Sequence, residues 1–167
     1  LHAESRRQRQ MCIRDSAGHL RGSIQNYENW QLTINGETTT STTYHTTAIT
    51  NLAIDWINDQ TNPWFLWLAY SAPHTPYHLP PQNLHSRNLS GTDADINSNP
   101  RSYYLAAIEA MDTEIGRLLS SLDQDTLRDT LIIFMGDNGT PGRVRNRSIY
   151  ANGCLLYTSP SPRDFLL

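Results

Sequence analysis

Two uninterrupted apolar runs, W-F-L-W-L-A-Y at residues 64–70 and L-I-I-F-M at residues 131–135, limit what this chain can fold into more than any other feature. Each is too short for a stable helix and rich in aromatic, β-branched or bulky side chains, the composition of a strand buried on both faces. Between them Tyr104, Ile108, Met111, Ile115, Leu118 and Leu122 advance by 4, 3, 4, 3, 4, the stripe of an amphipathic helix. Strand, helix and strand at this separation imply parallel pairing through a right-handed crossover. The expected fold class is therefore α/β, with a mainly parallel sheet flanked by helices. A second stripe, Ile49, Leu52, Ala53, Trp56 and Ile57, predicts a helix over residues 46–59, closed by Thr61-Asn62-Pro63.

Both apolar runs stop at polar turns, and ligands in open α/β sheets collect beyond the carboxyl ends of the strands. After residue 135 come Gly136, Asp137, Asn138 and Gly139, a carboxylate and an amide oxygen of the kind hard cations take. Asp137 and Asn138 are thus candidate metal ligands. The competing reading is a hairpin turn at Asn138-Gly139, weakened because G-T-P-G-R-V-R-N-R is not a second alternating strand. After residue 70 comes S-A-P-H-T-P-Y-H-L-P-P, whose four prolines in eleven positions exclude a helix. His74 and His78 therefore ride on a stiff loop, where a hydrogen-bonding role is the commoner fate of a lone histidine. His74, nearest the strand end, is the better catalytic candidate. A crossover places both turns on one rim, so His74 and Asp137 are expected to be neighbours.

The remaining sequence mostly excludes. At 167 residues there is room for one domain with a real core. A net charge of −3 gives no footprint for nucleic acid, and no stretch approaches a membrane span. All 13 basic side chains are arginine, so no lysine is available for chemistry. Residues 1–16 and 154–167 are patternless, resemble translated sequencing-adapter read-through and are read as non-native ends around a core of residues 17–153. Both cysteines, Cys12 and Cys154, fall in those ends, which leaves no disulfide or cysteine-metal reading. Residues 17–43 read as loop with one short strand, residues 82–100 as an irregular excursion, and Asp112 as a carboxylate hydrogen-bonded at the edge of a helix packing face.

Three stretches, P-W-F-L-W-L-A-Y-S-A-P-H-T-P, Y-Y-L-A-A-I-E-A-M-D-T-E-I-G-R-L-L and I-F-M-G-D-N-G-T, together make the core resemble a piece of a sulfatase of the alkaline-phosphatase-like superfamily. The resemblance implies part of an alkaline-phosphatase-like sandwich, a sulfate ester substrate with sulfated carbohydrate among the candidates, and one divalent cation, usually calcium. It makes Asp137 and Asn138 metal ligands and His74 a sulfate-binding or acid residue. It also implies a periplasmic or secreted location, while the oligomeric state is open. The family's formylglycine, made from Cys or Ser in C/S-x-P-x-R, has no counterpart here. That motif and two acidic ligands lie upstream in the family, and this chain is expected to begin after them. Ser159-Pro160-Ser161-Pro162-Arg163 only superficially suggests the motif, on the wrong side of D-N-G and in a patternless end. The family's lysine beyond D-N-G is missing too. The expectation is a fragment inactive alone. The alternatives are a phosphodiesterase or phosphonate monoester hydrolase of the same superfamily, or a non-catalytic binding domain in which D-N-G is only a turn.

Overall fold

A computed structural model describes residues 26–136 and 140–145. The proposed non-native ends, with Ser159 and its neighbours, lie outside the described residues. The chain divides into two compact units, Leu1–Asp123 and Gln124–Leu167.

The first unit opens with an antiparallel hairpin, β1 (Trp30–Ile34) and β2 (Glu37–Ser41). Its turn is Asn35-Gly36, with φ of 52° and 92°, the doubly left-handed pair that a two-residue hairpin loop needs and that Asn-Gly supplies at least cost. Helix α1 (His45–Asn58) follows, close to the expected bounds. No side chain caps its start; instead the first amide, His45 N–H, donates to the carbonyl of Tyr27 at 2.7 Å. At its far end Gln60 Nε2 donates to the carbonyl of Trp56 at 2.6 Å.

The stretch read as an irregular excursion is ordered. A 3-10 turn, Gln82–Leu84, is followed by α2 (Asp93–Ser98) and by α3 (Pro100–Ser121). Thr92 caps α2 by accepting from the amide of Asp95 at 3.3 Å, and Pro100 occupies the first turn of α3, where its missing N–H costs nothing. Asp95 then accepts from Tyr103 Oη at 2.5 Å, Asn99 Nδ2 at 2.6 Å and Ser90 Oγ at 2.9 Å, which hold its carboxyl down near pKa 2 and lash α2 to α3. His85 is buried; its Nε2 donates to the carbonyl of Pro80 and its Nδ1 accepts from Arg87 N–H.

The core of this unit is α1 against α3. The buried face of α3 is Tyr103, Ala106, Ala107, Ala110, Glu114 and Leu118, roughly a quarter turn away from the expected stripe, whose Ile108, Met111 and Ile115 are only half-buried. Of these, Ala110 shares a buried cluster with Ala48 and Ile49 of α1, where a small side chain lets the two helices approach closely. Glu114, 2% exposed, accepts from Thr47 Oγ1 at 2.7 Å on α1 and from Arg117 Nε at 2.7 Å, while Arg117 also reaches Asn51 Oδ1 at 2.8 Å. Asp112, expected at the edge of the packing face, is exposed.

The parallel sheet is not found. Among the described residues β1 and β2 form the single sheet, accompanied by four α-helices counting α4 (Gln124–Arg128) of the second unit. Residues 64–70 belong to no strand and make no backbone–backbone hydrogen bond among the described residues, and the same holds for residues 131–136. Residues 64–70 nevertheless keep the two-residue period of a strand. Trp64, Leu66, Leu68 and Tyr70 pack on the core, while Phe65 and Trp67 are 72% and 57% exposed. Among the described residues one face of this run is covered where the sequence predicts two, and its edges have no bonded neighbour. In the second unit all five side chains from Leu131 to Met135 are exposed. No described helix is long and apolar enough to cross a membrane.

Candidate functional site

His74 sits in the loop after residue 70, where its amide donates to the carbonyl of Ser71 at 2.9 Å and closes a tight turn. The peptides Ala72-Pro73 and Thr75-Pro76 on either side are cis. The turn is held from the core side by Tyr27, whose hydroxyl lies 2.9 Å from the carbonyls of both Ser71 and His74, a three-centre bond from one proton. Ala72, 5% exposed, buries the turn's first apolar side chain in the same cluster.

The two loop histidines differ. His74 is exposed, and its Nδ1 is 2.8 Å from the carbonyl of Thr75. A carbonyl can only accept, so the proton is on Nδ1 and the lone pair of neutral His74 is on Nε2, which has no partner among the described residues. His78 is half-buried and used up: Nδ1 donates to the carbonyl of Pro76 at 3.0 Å and Nε2 accepts from Tyr44 Oη at 3.0 Å. Its ring stacks on Tyr27 with centroids 4.0 Å apart, and burial pushes its pKa below the ordinary histidine value. His78 is therefore a neutral structural member of the loop.

Beneath lies an aromatic cluster. Tyr27, Trp30 and Tyr44 are buried, and His45, fully buried, lies 4.4 Å from Trp30 and 5.8 Å from Tyr27 between ring centroids. Neither ring nitrogen of His45 has a hydrogen-bond partner among the described residues. Burial, with the neighbouring His78 as a lesser cause, pulls its pKa down to about 4. Burial likewise pushes the phenol of Tyr44 up to about 12 and that of Tyr27 well above the usual tyrosine range, so both remain donors. Sequence spacing gives no hint of this cluster, because Tyr27 and Trp30 lie in a polar stretch without period. An open cleft of about 320 Å³ lies elsewhere, between the 3-10 turn and α3, lined by Asn83, Ser86, Glu109 and Asp112 among others. The Glu109 carboxylate there is already engaged by Ser86 N–H, Ser86 Oγ and Arg87.

Asp137 and Asn138 lie outside the described residues, and with them the expected approach of His74 to Asp137. Among the described residues no group of three or more His, Cys, Asp or Glu side chains is arranged to hold a metal ion. Compared with known proteins, the chain matches the family model described as Sulfatase over residues 3–152. No solved structure matches it.

Proposed function

Because the chain belongs to the sulfatase family, we propose that it is part of a sulfuric ester hydrolase domain in which His74 serves the sulfate group or its leaving oxygen. The observation that carries this reading is the presentation of His74: an exposed imidazole with Nδ1 pinned to a carbonyl and Nε2 open. Breaking a sulfate ester needs a nucleophile at sulfur, positive charge beside the non-bridging oxygens, and a proton for the departing alkoxide. A protonated His74 donates from Nε2 to that alkoxide while Nδ1–H stays on Thr75, so the ring need not turn during the transfer.

The side-chain oxygens of Asp137 and Asn138 suit a hard cation, and a calcium ion held there would draw charge from the sulfate oxygens. Two protein donors fill only part of the roughly 6 to 8 oxygen positions such an ion takes. No C/S-x-P-x-R stands before D-N-G, and no lysine stands anywhere. The 167-residue chain should accordingly turn over no aryl sulfate. The substrate is a sulfate ester by family, with sulfated carbohydrates the class proposed, and export to the periplasm or cell exterior is the proposed location.

The test uses the protein encoded when this core is joined to its native flanking sequence. His74→Ala should lower kcat on an aryl sulfate by about 10²- to 10⁴-fold, the usual contribution of a positioned proton donor, with calcium affinity unchanged. Asp137→Ala should weaken calcium binding in calorimetric titration. Full activity in the His74 variant would overturn the role given to the imidazole, and calcium binding indifferent to Asp137 would leave D-N-G a turn.

A further inference from the structure

We infer that Tyr27 is a positioning residue for His74: its hydroxyl, 2.9 Å from the carbonyls of both Ser71 and His74, fixes the turn that presents Nε2 outward. The inference rests on the reading of His74 as the residue that serves the sulfate.

The turn is closed once on its own, by His74 N–H to the Ser71 carbonyl. That bond leaves the His74 carbonyl without a donor, and the Tyr27 hydroxyl supplies one while bridging back to Ser71. If the His74 carbonyl were released, the peptide after it could rotate. Thr75 O, the acceptor that pins Nδ1–H, would move with it. The tautomer of His74 is thus set two bonds away, by a phenol that never touches the ring.

Tyr27 can act as a fixed point because it cannot follow the loop. It is 2% exposed, stacked on one side by His78 at 4.0 Å, with Tyr44 at 6.0 Å and the edge of His45 at 5.8 Å. Its own carbonyl accepts the first amide of α1. Helix α1 is thereby connected to His74 through one residue. An interaction of this kind does not add binding area; it narrows the orientations of a group that must be placed to within a fraction of an ångström.

The experiment is ring ¹H–¹⁵N correlation NMR on the full chain labelled at histidine, at about pH 8, where an ordinary imidazole is neutral. In the unsubstituted protein His74 should show one protonated Nδ1 and one bare Nε2. In Tyr27→Phe, which keeps the stacked ring and removes only the hydroxyl, His74 should become a mixture of tautomers. His78 and His85 should keep their patterns, Nδ1–H and Nε2–H respectively, as internal proof that the loop ends and the 3-10 turn are intact. A His74 signal unchanged by the substitution overturns the inference. Should Tyr27→Phe fail to fold, the unsubstituted chain in equal parts of H2O and D2O answers instead. A buried, bonded hydroxyl splits the Tyr27 Cζ resonance into two lines, and a single averaged line overturns the inference. These readouts need no turnover, so failure of the sulfatase reading would appear separately, as full activity in His74→Ala.

Discussion

His45 is a buried imidazole with no hydrogen bond on either nitrogen among the described residues, and that makes it one determinant of how the protein responds to acid. Its folded pKa of about 4 lies below the ordinary value of 6.5, so the unfolded chain takes up the proton first. Stability is therefore full above about pH 6.5 and falls as pH drops toward 4, by on the order of 3 kcal/mol from this residue, and His78, lowered in the same direction, adds to the fall. Asp95, lowered to about 2, acts in a separate window: its contribution persists to about pH 4 and disappears only below it. Urea denaturation at stepped pH should show His45→Phe flattening the slope between about pH 6.5 and 4 while leaving the steeper loss below it; an unchanged slope would place the titration elsewhere. At Glu114 the two partners are unequal, the side chains of Arg117 and Glu114 being 42% and 3% exposed. Arg117→Ala strands a buried carboxylate on one hydroxyl and should cost about 3 kcal/mol, whereas Glu114→Gln leaves an arginine that water can reach and should cost about 1 kcal/mol. Thermal denaturation of both variants checks the order, and equal losses would mean the carboxylate is better solvated than its burial implies.

At the scale of elements, residues 64–70 are a strand in shape and not in bonding, and the two faces should answer differently to substitution. Leu68 touches both core clusters from a half-buried position, so Leu68→Ala should cost about 1 to 2 kcal/mol, while Phe65→Ser, on the open face, should stay within about 0.5 kcal/mol. Equal costs in urea denaturation would show that the outer face is covered in solution. The apolar composition of this run speaks for burial but cannot say how many neighbours are at hand, so it does not by itself specify a sheet. The stripes of α1 and α3, in contrast, spell out those two helices; α2 and α4 are too short to show a period. Local chemistry was legible even where it was passed over. Thr92-Asp93-Ala94-Asp95 has the pattern of a capped helix start, and the hairpin signal weighed at Asn138-Gly139 is spelled by Asn35-Gly36 among threonines. The stripe of large apolar side chains on α3 is only partly its packing face: Leu118 is buried and Met111 and Leu122 pack on the core, while Ile108 and Ile115 are half-buried. The rest of the buried face is Tyr103, three alanines and Glu114, a carboxylate that can be buried only because Thr47 and Arg117 donate to it. His74 and its loop followed from the prolines, but the support beneath it joins residues 27, 44 and 78, and nothing periodic connects such positions.

For the whole molecule the decisive quantity is unburied apolar surface. Leu131, Ile132, Ile133, Phe134 and Met135 are 84%, 51%, 71%, 75% and 74% exposed, and residues 131–136 make no backbone–backbone hydrogen bond among the described residues. Five uncharged residues of high β propensity with free amides and carbonyls form the kind of edge that pairs with another copy, and native proteins blunt such edges with a charge, most often lysine. This chain has no lysine to do so, and its net charge of −3 gives only weak repulsion between copies. Ile133→Lys should therefore lower concentration-dependent association, measured by light scattering across a dilution series. It should leave the melting temperature at low concentration unchanged, because an exposed side chain has no packing to lose. A loss of folded stability in that variant would mean that residue 133 is covered in solution. Association unaffected by the lysine would shift the adhesive surface to Phe65 and Trp67, where Trp67→Lys makes the same comparison on the first unit.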